Sequence, residues 1–273
     1  MIFLQPHSGL ANRLRVVVSA LSFAEKVNQD LIIYWEKDSG LNCDFYELYS
    51  ANKKLDVRRP DIKARILDRM KNKGVLKLLF NKLYKIDFSL FDNDFRKFVW
   101  NGNANQIDMS LISKNARNYY IKACNEFSFD PAYLQYLTPV TNVQNLINQE
   151  VQYFPDKIIG VHIRRTDNDK SVEESPIYLF VERMKKDLLA DPDIHYFLAT
   201  DDPSVEEELL KLFPSRILRS KKDFTRDTKQ GIIGAMVDLY CLAATKKIYG
   251  SYWSSFSSLA AHIGNIPLLV IRK

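Results

Sequence analysis

Ile158-Ile159-Gly160-Val161-His162-Ile163-Arg164-Arg165-Thr166-Asp167 is an apolar run of strand length that ends in an imidazole, two guanidiniums and a carboxylate. A short apolar run bounded by charge reads as a buried strand, here 158–163. The chain after it repeats the pattern. A helix is expected from Pro176 to about Leu189, a strand over 195–200, and a helix over 203–213 opened by Asp202-Pro203 as N-cap and first helical residue. A strand over 216–219, a helix over 231–245, a strand over 247–250, a helix over 254–263 and a strand over 268–271 complete it. Strands alternating with helices predict a parallel, doubly wound sheet.

The first half opens the same way. Ile2-Phe3-Leu4 reads as a strand. His7-Ser8-Gly9-Leu10-Ala11-Asn12 turns into a helix reaching about Val27, with Leu14, Val17, Val18, Leu21 and Ala24 at helical spacing. Leu31-Ile32-Ile33-Tyr34-Trp35 is the next strand. Ile62, Ile66 and Met70 share one helical stripe, and Val75, Leu76, Leu79, Phe80 and Leu83 another, so two amphipathic helices are expected there. Residues 98–100 and 119–121 read as strands, with an Asn-rich loop between them. The stretch 138–157, with Thr138-Pro139 and Phe154-Pro155-Asp156, is the expected junction between an N-terminal domain over 1–140 and a C-terminal one over 155–273. The spacing supports α/β with two Rossmann-type halves; parallel sheets facing a cleft are the expectation that completes the fold class.

Bulk properties narrow the function. The chain has 273 residues, 46% hydrophobic and 26% charged, which is ordinary for a globular protein. No apolar run approaches the roughly 20 residues that span a bilayer. The N-terminus lacks the basic segment and the long apolar stretch of a signal peptide, so a cytoplasmic protein is expected. Cys43, Cys124 and Cys241 are far apart and read as free thiols. Net charge is +6, but between residues 52 and 87 there are twelve Lys/Arg against four Asp/Glu, while the rest of the chain has twenty-seven against twenty-nine. This basicity is local. The basic helices 53–85 form a solvated face or a peripheral contact with an anionic membrane. No motif points to nucleic acid.

The chemistry concentrates at strand ends. Arg164, at the carboxyl end of a parallel strand, suits a phosphate-bearing ligand. His162 shares its face and is a candidate for ligand contact, while Arg165 falls on the other face with Asp167, so those two are expected to pair. Ser254, Ser255 and Phe256 lie where a strand gives way to a helix, whose N–H groups and serine hydroxyls make an anion site or an ordinary cap. Asp238 interrupts an apolar helix face and needs partners, either a ligand or a neighbouring loop. Asp201 is expected to face the cleft as a donor-binding residue. Asp167-Asn168-Asp169 is formally a D-x-D pattern, which would suit a metal-dependent transferase, but two arginines directly precede it and would repel a cation. Asp169, Glu173 and Glu174 are nominees for a general base.

His162-Ile-Arg-Arg-Thr-Asp167 resembles the H-x-R-R-x-D motif of the α1,2-, α1,6- and protein O-fucosyltransferase superfamily. Three further segments agree in order. Gly9-Leu-Ala-Asn12 resembles the N-terminal G-x-x-N loop, Leu198 to Ser204 resembles a segment of the core α1,6 enzymes, and Asp238 with Gly250 to Phe256 resembles the C-terminal D…S-S-F motif. The resemblance implies a GT-B fold and a bacterial-type inverting enzyme. It implies GDP-L-fucose as donor substrate, a glycan acceptor, and neither a metal nor a cofactor. By motif, Arg164 binds the β-phosphate and His162 and Asp238 contact the guanosine. Ser254, Ser255 and Phe256 cradle the diphosphate, and Asn12 approaches the donor. A Glu downstream of the motif serves as base in the α1,6 enzymes; Glu173 is the nominee here, although the spacing from Pro176 puts Ser171 nearer that place. A non-catalytic nucleotide- or glycan-binding protein is the reading from another class.

Overall fold

The structure is a computed structural model, and it describes residues 1–69, 82, 85–92, 116–166 and 168–273. The chain forms two compact units, Met1–Thr138 and Pro139–Lys273.

The first unit holds β1 (Ile2–Pro6), helix α1 (Leu10–Lys26), β2 (Leu31–Tyr34), β3 (Asp56–Arg58), helix α2 (Ile62–Arg69), β4 (Phe88–Phe91) and β5 (Tyr119–Ala123). Its five strands are parallel, in the order β3-β2-β1-β5-β4. The apolar spacing of α1 buries Leu14, Val17, Val18 and Leu21, and Val16, Ala20 and Phe23 are buried as well. Phe3, Ile32, Tyr34 and Tyr120 pack with Ala64 on the sheet.

Part of the basic stretch departs from the expected helices. Asp56–Arg58 is an edge strand beside β2, with Val57 buried between two exposed charged residues. Alternation of polar and apolar residues over three positions suits a half-buried edge, and Pro60 then breaks the run. In α2 it is Ala64 that is buried, while Ile62 is exposed. The expected second helix stripe, Val75 to Leu83, and the expected strand at 98–100 lie outside the described residues.

The second unit begins with helix α3 (Thr141–Val151), which buries Val143 and Ile147. It continues with β6 (Ile158–Ile163), helices α4 (Asp169–Glu174) and α5 (Ile177–Ala190), β7 (His195–Thr200), α6 (Pro203–Leu212), β8 (Ile217–Leu218), α7 (Lys229–Ala243), β9 (Ile248–Ser251), α8 (Ser255–Gly264) and β10 (Leu268–Ile271). The sheet is again parallel and five-stranded, in the order β10-β9-β6-β7-β8. All six residues of β6 are buried, as expected for the middle of a sheet covered on both faces. Asp202 caps α6 by accepting from the Ser204 N–H, with Pro203 behind it. The fold class is thus the expected one: α/β with two parallel sheets.

The chain runs from β6 outward to β7 and β8, then returns to place β9 and β10 on the other side. Strand order therefore reverses between β6 and β9. Ligands of open α/β sheets bind at the carboxyl ends of the strands that flank such a reversal.

Close helix packing supports this edge. A Cβ on Gly264, at the end of α8, would lie 2.1 Å from the Ala243 carbonyl oxygen at the end of α7. That neighbour is backbone and cannot rotate away. Gly264→Ala is expected to destabilise the protein by about 2–3 kcal/mol, read as a lower urea midpoint with an unchanged slope. An unchanged midpoint would show that the two helix ends are not packed this closely.

Candidate functional site

Strand β6 ends at Ile163, whose partner on β7 is Thr200. One residue further along each chain, Arg164 and Asp201 leave the sheet side by side, and Arg164 Nη1 meets Asp201 Oδ2 at 2.6 Å. The same carboxylate accepts from the Arg165 N–H at 2.8 Å, the Thr166 hydroxyl at 2.7 Å and Arg226 Nη2 at 3.4 Å. Burial alone would raise the pKa of Asp201, but Arg164, the Thr166 hydroxyl and the Arg165 N–H hold it below the usual carboxylate value. On the β9 side, the Arg164 N–H donates to Ser251 Oγ at 3.0 Å. The leading cation of the sequence thus sits between two strand ends, its backbone fixed by one and its guanidinium by the other.

His162 is buried beneath it. Its ring stacks on Phe256 with centroids 4.9 Å apart and planes 26° apart, and its Nδ1 lies 3.3 Å from the Ser254 hydroxyl. Burial, then the nearby positive charge of Arg164, pushes its pKa down from 6.5 to about 3. The imidazole is neutral near pH 7 and serves as a polar contact, not as a cation.

The Ser254–Phe256 segment joins this group through His162. Trp253 turns the chain with a positive φ of 57°, uncommon for a bulky residue and a mark of a constrained turn. Helix α8 follows, and Ser254 stands at its N-cap position without a side-chain cap bond. The hydroxyl that an ordinary cap would use faces His162 instead. Ser255 and Phe256 are half-buried in the first turn, where N–H groups of an α-helix lack internal acceptors.

Ser171, nominated only for its place near a base, and Ser175, not singled out in the sequence, tie the loops after β6 and β9 together. Ser171 Oγ donates to the Tyr252 carbonyl at 2.8 Å, and the Tyr252 N–H donates to Ser175 Oγ at 2.7 Å. Asn168 Nδ2 reaches the Trp253 carbonyl at 3.2 Å, and the Lys170 ammonium lies 3.9 Å from the centre of the Trp253 ring. Their spacing of four, one helical turn, was the available signal. Arg165, expected to pair with Asp167, sends its guanidinium to the Ser175 carbonyl at 2.5 Å; Asp167 lies outside the described residues.

Asp238, 3% exposed on α7, accepts from the Ser220 hydroxyl and the Lys222 ammonium. Burial raises its pKa and Lys222 opposes that rise. The neighbouring loop that its sequence position allowed as a partner is in place. Glu173 and Asp169 are exposed and Glu174 is half-buried on α4. Asn12 belongs to the first unit, in the first turn of α1, and its Nδ2 donates to Ser8 Oγ at 3.2 Å. Next to it, Arg13 is fully buried and bonds the Ser8 carbonyl at 2.7 Å and Asp38 Oδ2 at 2.6 Å. A buried arginine that fixes the Ser8 turn was not foreseen; its place in an otherwise apolar helix stripe was the clue.

No family model matches the chain, and no curated protein matches it in sequence. Solved structures do match. NodZ alpha-1,6-fucosyltransferase soaked with GDP-fucose has a TM-score of 0.65 and 15% identity over 98% of this chain and 94% of its own; NodZ is from Bradyrhizobium. A point mutant of Arabidopsis thaliana FUT1 in complex with GDP has a TM-score of 0.66 and 15% identity over 100% of this chain and 70% of its own. POFUT1 in complex with GDP-fucose has a TM-score of 0.59 and 10% identity over 99% and 98%. The chain shares their fold. At these identities the likeness is one of architecture.

The depressed pKa of His162 has a sign that can be measured. Between pH 6.5 and about 3 the unfolded chain takes up a proton at this residue that the folded chain refuses. Its contribution is complete above pH 6.5 and is lost as pH falls. His162→Gln should therefore flatten the fall in stability between pH 6.5 and 4.5 by up to about 1.4 kcal/mol per pH unit. Urea unfolding of both proteins across that range checks it; parallel curves would show that His162 titrates normally.

Proposed function

We propose that the protein is a GDP-fucose-dependent glycosyltransferase that moves L-fucose to a glycan hydroxyl with inversion at the anomeric carbon and without a metal at the diphosphate. The observation that carries this reading is Arg164, oriented by Asp201 and Ser251 at the strand-order reversal. The fold around it is shared with fucosyltransferases whose structures hold GDP or GDP-fucose.

In this reading the acceptor oxygen forms a bond to the fucose anomeric carbon. The bond from that carbon to the β-phosphate oxygen breaks, and its electron pair leaves with GDP. Arg164 binds the β-phosphate and stabilises the charge that grows there, a term worth more in a partly buried site than in water. Ser254, Ser255 and the first turn of α8 offer hydroxyls and N–H groups to the diphosphate. His162 and Phe256 present a neutral stacked pair to the nucleoside. Asp201 positions Arg164 and lines the donor site beside it. Asp238 anchors the Ser220–Lys222 loop and contacts the guanosine with acceptor capacity its carboxylate retains.

Glu173 takes the acceptor proton, and its exposure suits a base that meets an incoming substrate. Asn12 joins the set through its loop motif. Among the described residues no helix is long and apolar enough to cross a membrane. The proposed setting is the cytoplasm, with the basic segment 53–85 as a peripheral contact to anionic lipid.

Two measurements test the donor and the cation. GDP should raise the melting temperature and UDP should not. Arg164→Ala should lower turnover with GDP-fucose by about 100- to 1000-fold with unchanged far-UV circular dichroism. Stabilisation by UDP but not GDP overturns the donor; near-normal turnover of the variant overturns the role of Arg164.

A further inference from the structure

Three neighbouring strands of the first sheet each end on a different metal-binding side chain. His7 follows β1, Cys124 follows β5 and Asp92 follows β4, and the sheet runs β1-β5-β4 in space. Parallel pairing puts all three at one edge. His7 Nε2 contacts Asp92 Oδ2, and the Cys124 N–H donates to Asp92 Oδ1 at 2.9 Å. The Cys124 thiol also bonds this carboxylate. One ligand atom from each residue lies within 4.8 Å of the other two. The cluster stands at the carboxyl ends of parallel strands, the edge at which such sheets take ligands.

We propose that His7, Asp92 and Cys124 form a binding site for a divalent ion of the zinc class. The site lies within the first unit and does not rest on the donor chemistry above. A nitrogen, an oxygen and a sulfur ligand together suit zinc and its borderline neighbours, whereas magnesium and calcium take oxygen ligands. Tetrahedral zinc, with bonds of about 2.0–2.3 Å, holds its ligand atoms about 3.3–3.8 Å apart, so the spacing present is near the spacing required.

The order of the three groups also matters. In a nucleophilic cysteine triad the imidazole stands between thiol and carboxylate. Here the carboxylate is the central member, bonded to both of the others, and that order fails for a nucleophile but suits three ligands converging on one ion. On binding, the thiol proton goes to solvent and the proton between Nε2 and Oδ2 gives way to the metal, so affinity rises with pH. Three protein ligands leave a fourth position for water or an oxygen of a bound molecule.

The test uses the full chain freed of metal by a chelator and dialysis. Calorimetry with Zn²⁺ should show one ion per chain, and Co²⁺ should give a thiolate charge-transfer band in the near ultraviolet. Cys124→Ser should remove that band, and His7→Gln should weaken Zn²⁺ binding at least about tenfold. Metal-free urea midpoints close to wild type show that the variants fold. In the wild-type chain, Zn²⁺ should also slow alkylation of Cys124, mapped by mass spectrometry, which keeps the test open if a variant does not fold. A folded wild-type chain that takes up no Zn²⁺, a Co²⁺ band that survives Cys124→Ser, or an alkylation rate indifferent to Zn²⁺ overturns the site.

Discussion

The Arg164 guanidinium is only 19% exposed at the end of an apolar strand, and Asp201 is 16% exposed beside it. A charge so placed needs a partner, because removing it from water costs several kcal/mol that only good geometry offsets. Asp201 supplies the geometry with more than one bond. It fixes the guanidinium, the backbone of the next residue and the Thr166 hydroxyl together. The turn leaving β6 is thereby held in one conformation before any ligand arrives. Organising a cation in advance is what makes it useful against a charge that appears only during reaction.

The other wall of the site follows from the same constraint. Gly160 lets α7 and β9 approach β6, since a Cβ there would lie 2.9 Å from Leu242 and from Thr245. That approach puts Ser251 where its hydroxyl meets the Arg164 N–H, and it puts His162 against Ser254 and Phe256. Buried Ser171 and Ser175 close the network by bonding the backbone at Tyr252. Loops at a sheet edge are mobile by default; here their backbone groups are bonded to each other.

Much of the architecture was legible in the sequence because parallel strands buried on both faces leave an unmistakable apolar run. The 158–163 strand and the capped helix at 203 are of this kind. The three-residue strand at 56–58 was not legible, since its polar edge carries the same charges as the helix that follows. At the site, residue types announced Arg164 and Ser254, but not their partners. The Arg164–Asp201 pair depends on strand adjacency, which no local pattern encodes. The serine at 254 looked like a cap, and only the position of His162 turns its hydroxyl elsewhere. His7 and Asp92 are 85 residues apart in the chain, and nothing in either neighbourhood names the other.

Asp238 shows why a motif position and a contact are different things. Its carboxylate and the Lys222 ammonium are 5% and 6% exposed, and a pair so buried is weak evidence for added stability, because an apolar pair of similar shape can do as well. What an apolar pair cannot do is choose a direction. Ser220 and Lys222 approach from one loop, and both converge on this carboxylate, so the loop has one docked position. Lys222 is also packed against Gly234 of α7, where an added Cβ would come within 2.9 Å of the lysine Cβ. The absence of a side chain at 234 and the presence of a carboxylate at 238, one helical turn apart, thus serve the same lysine. A residue that reads as a ligand contact from its motif thus also sets, in this structure, where the loop it anchors can be.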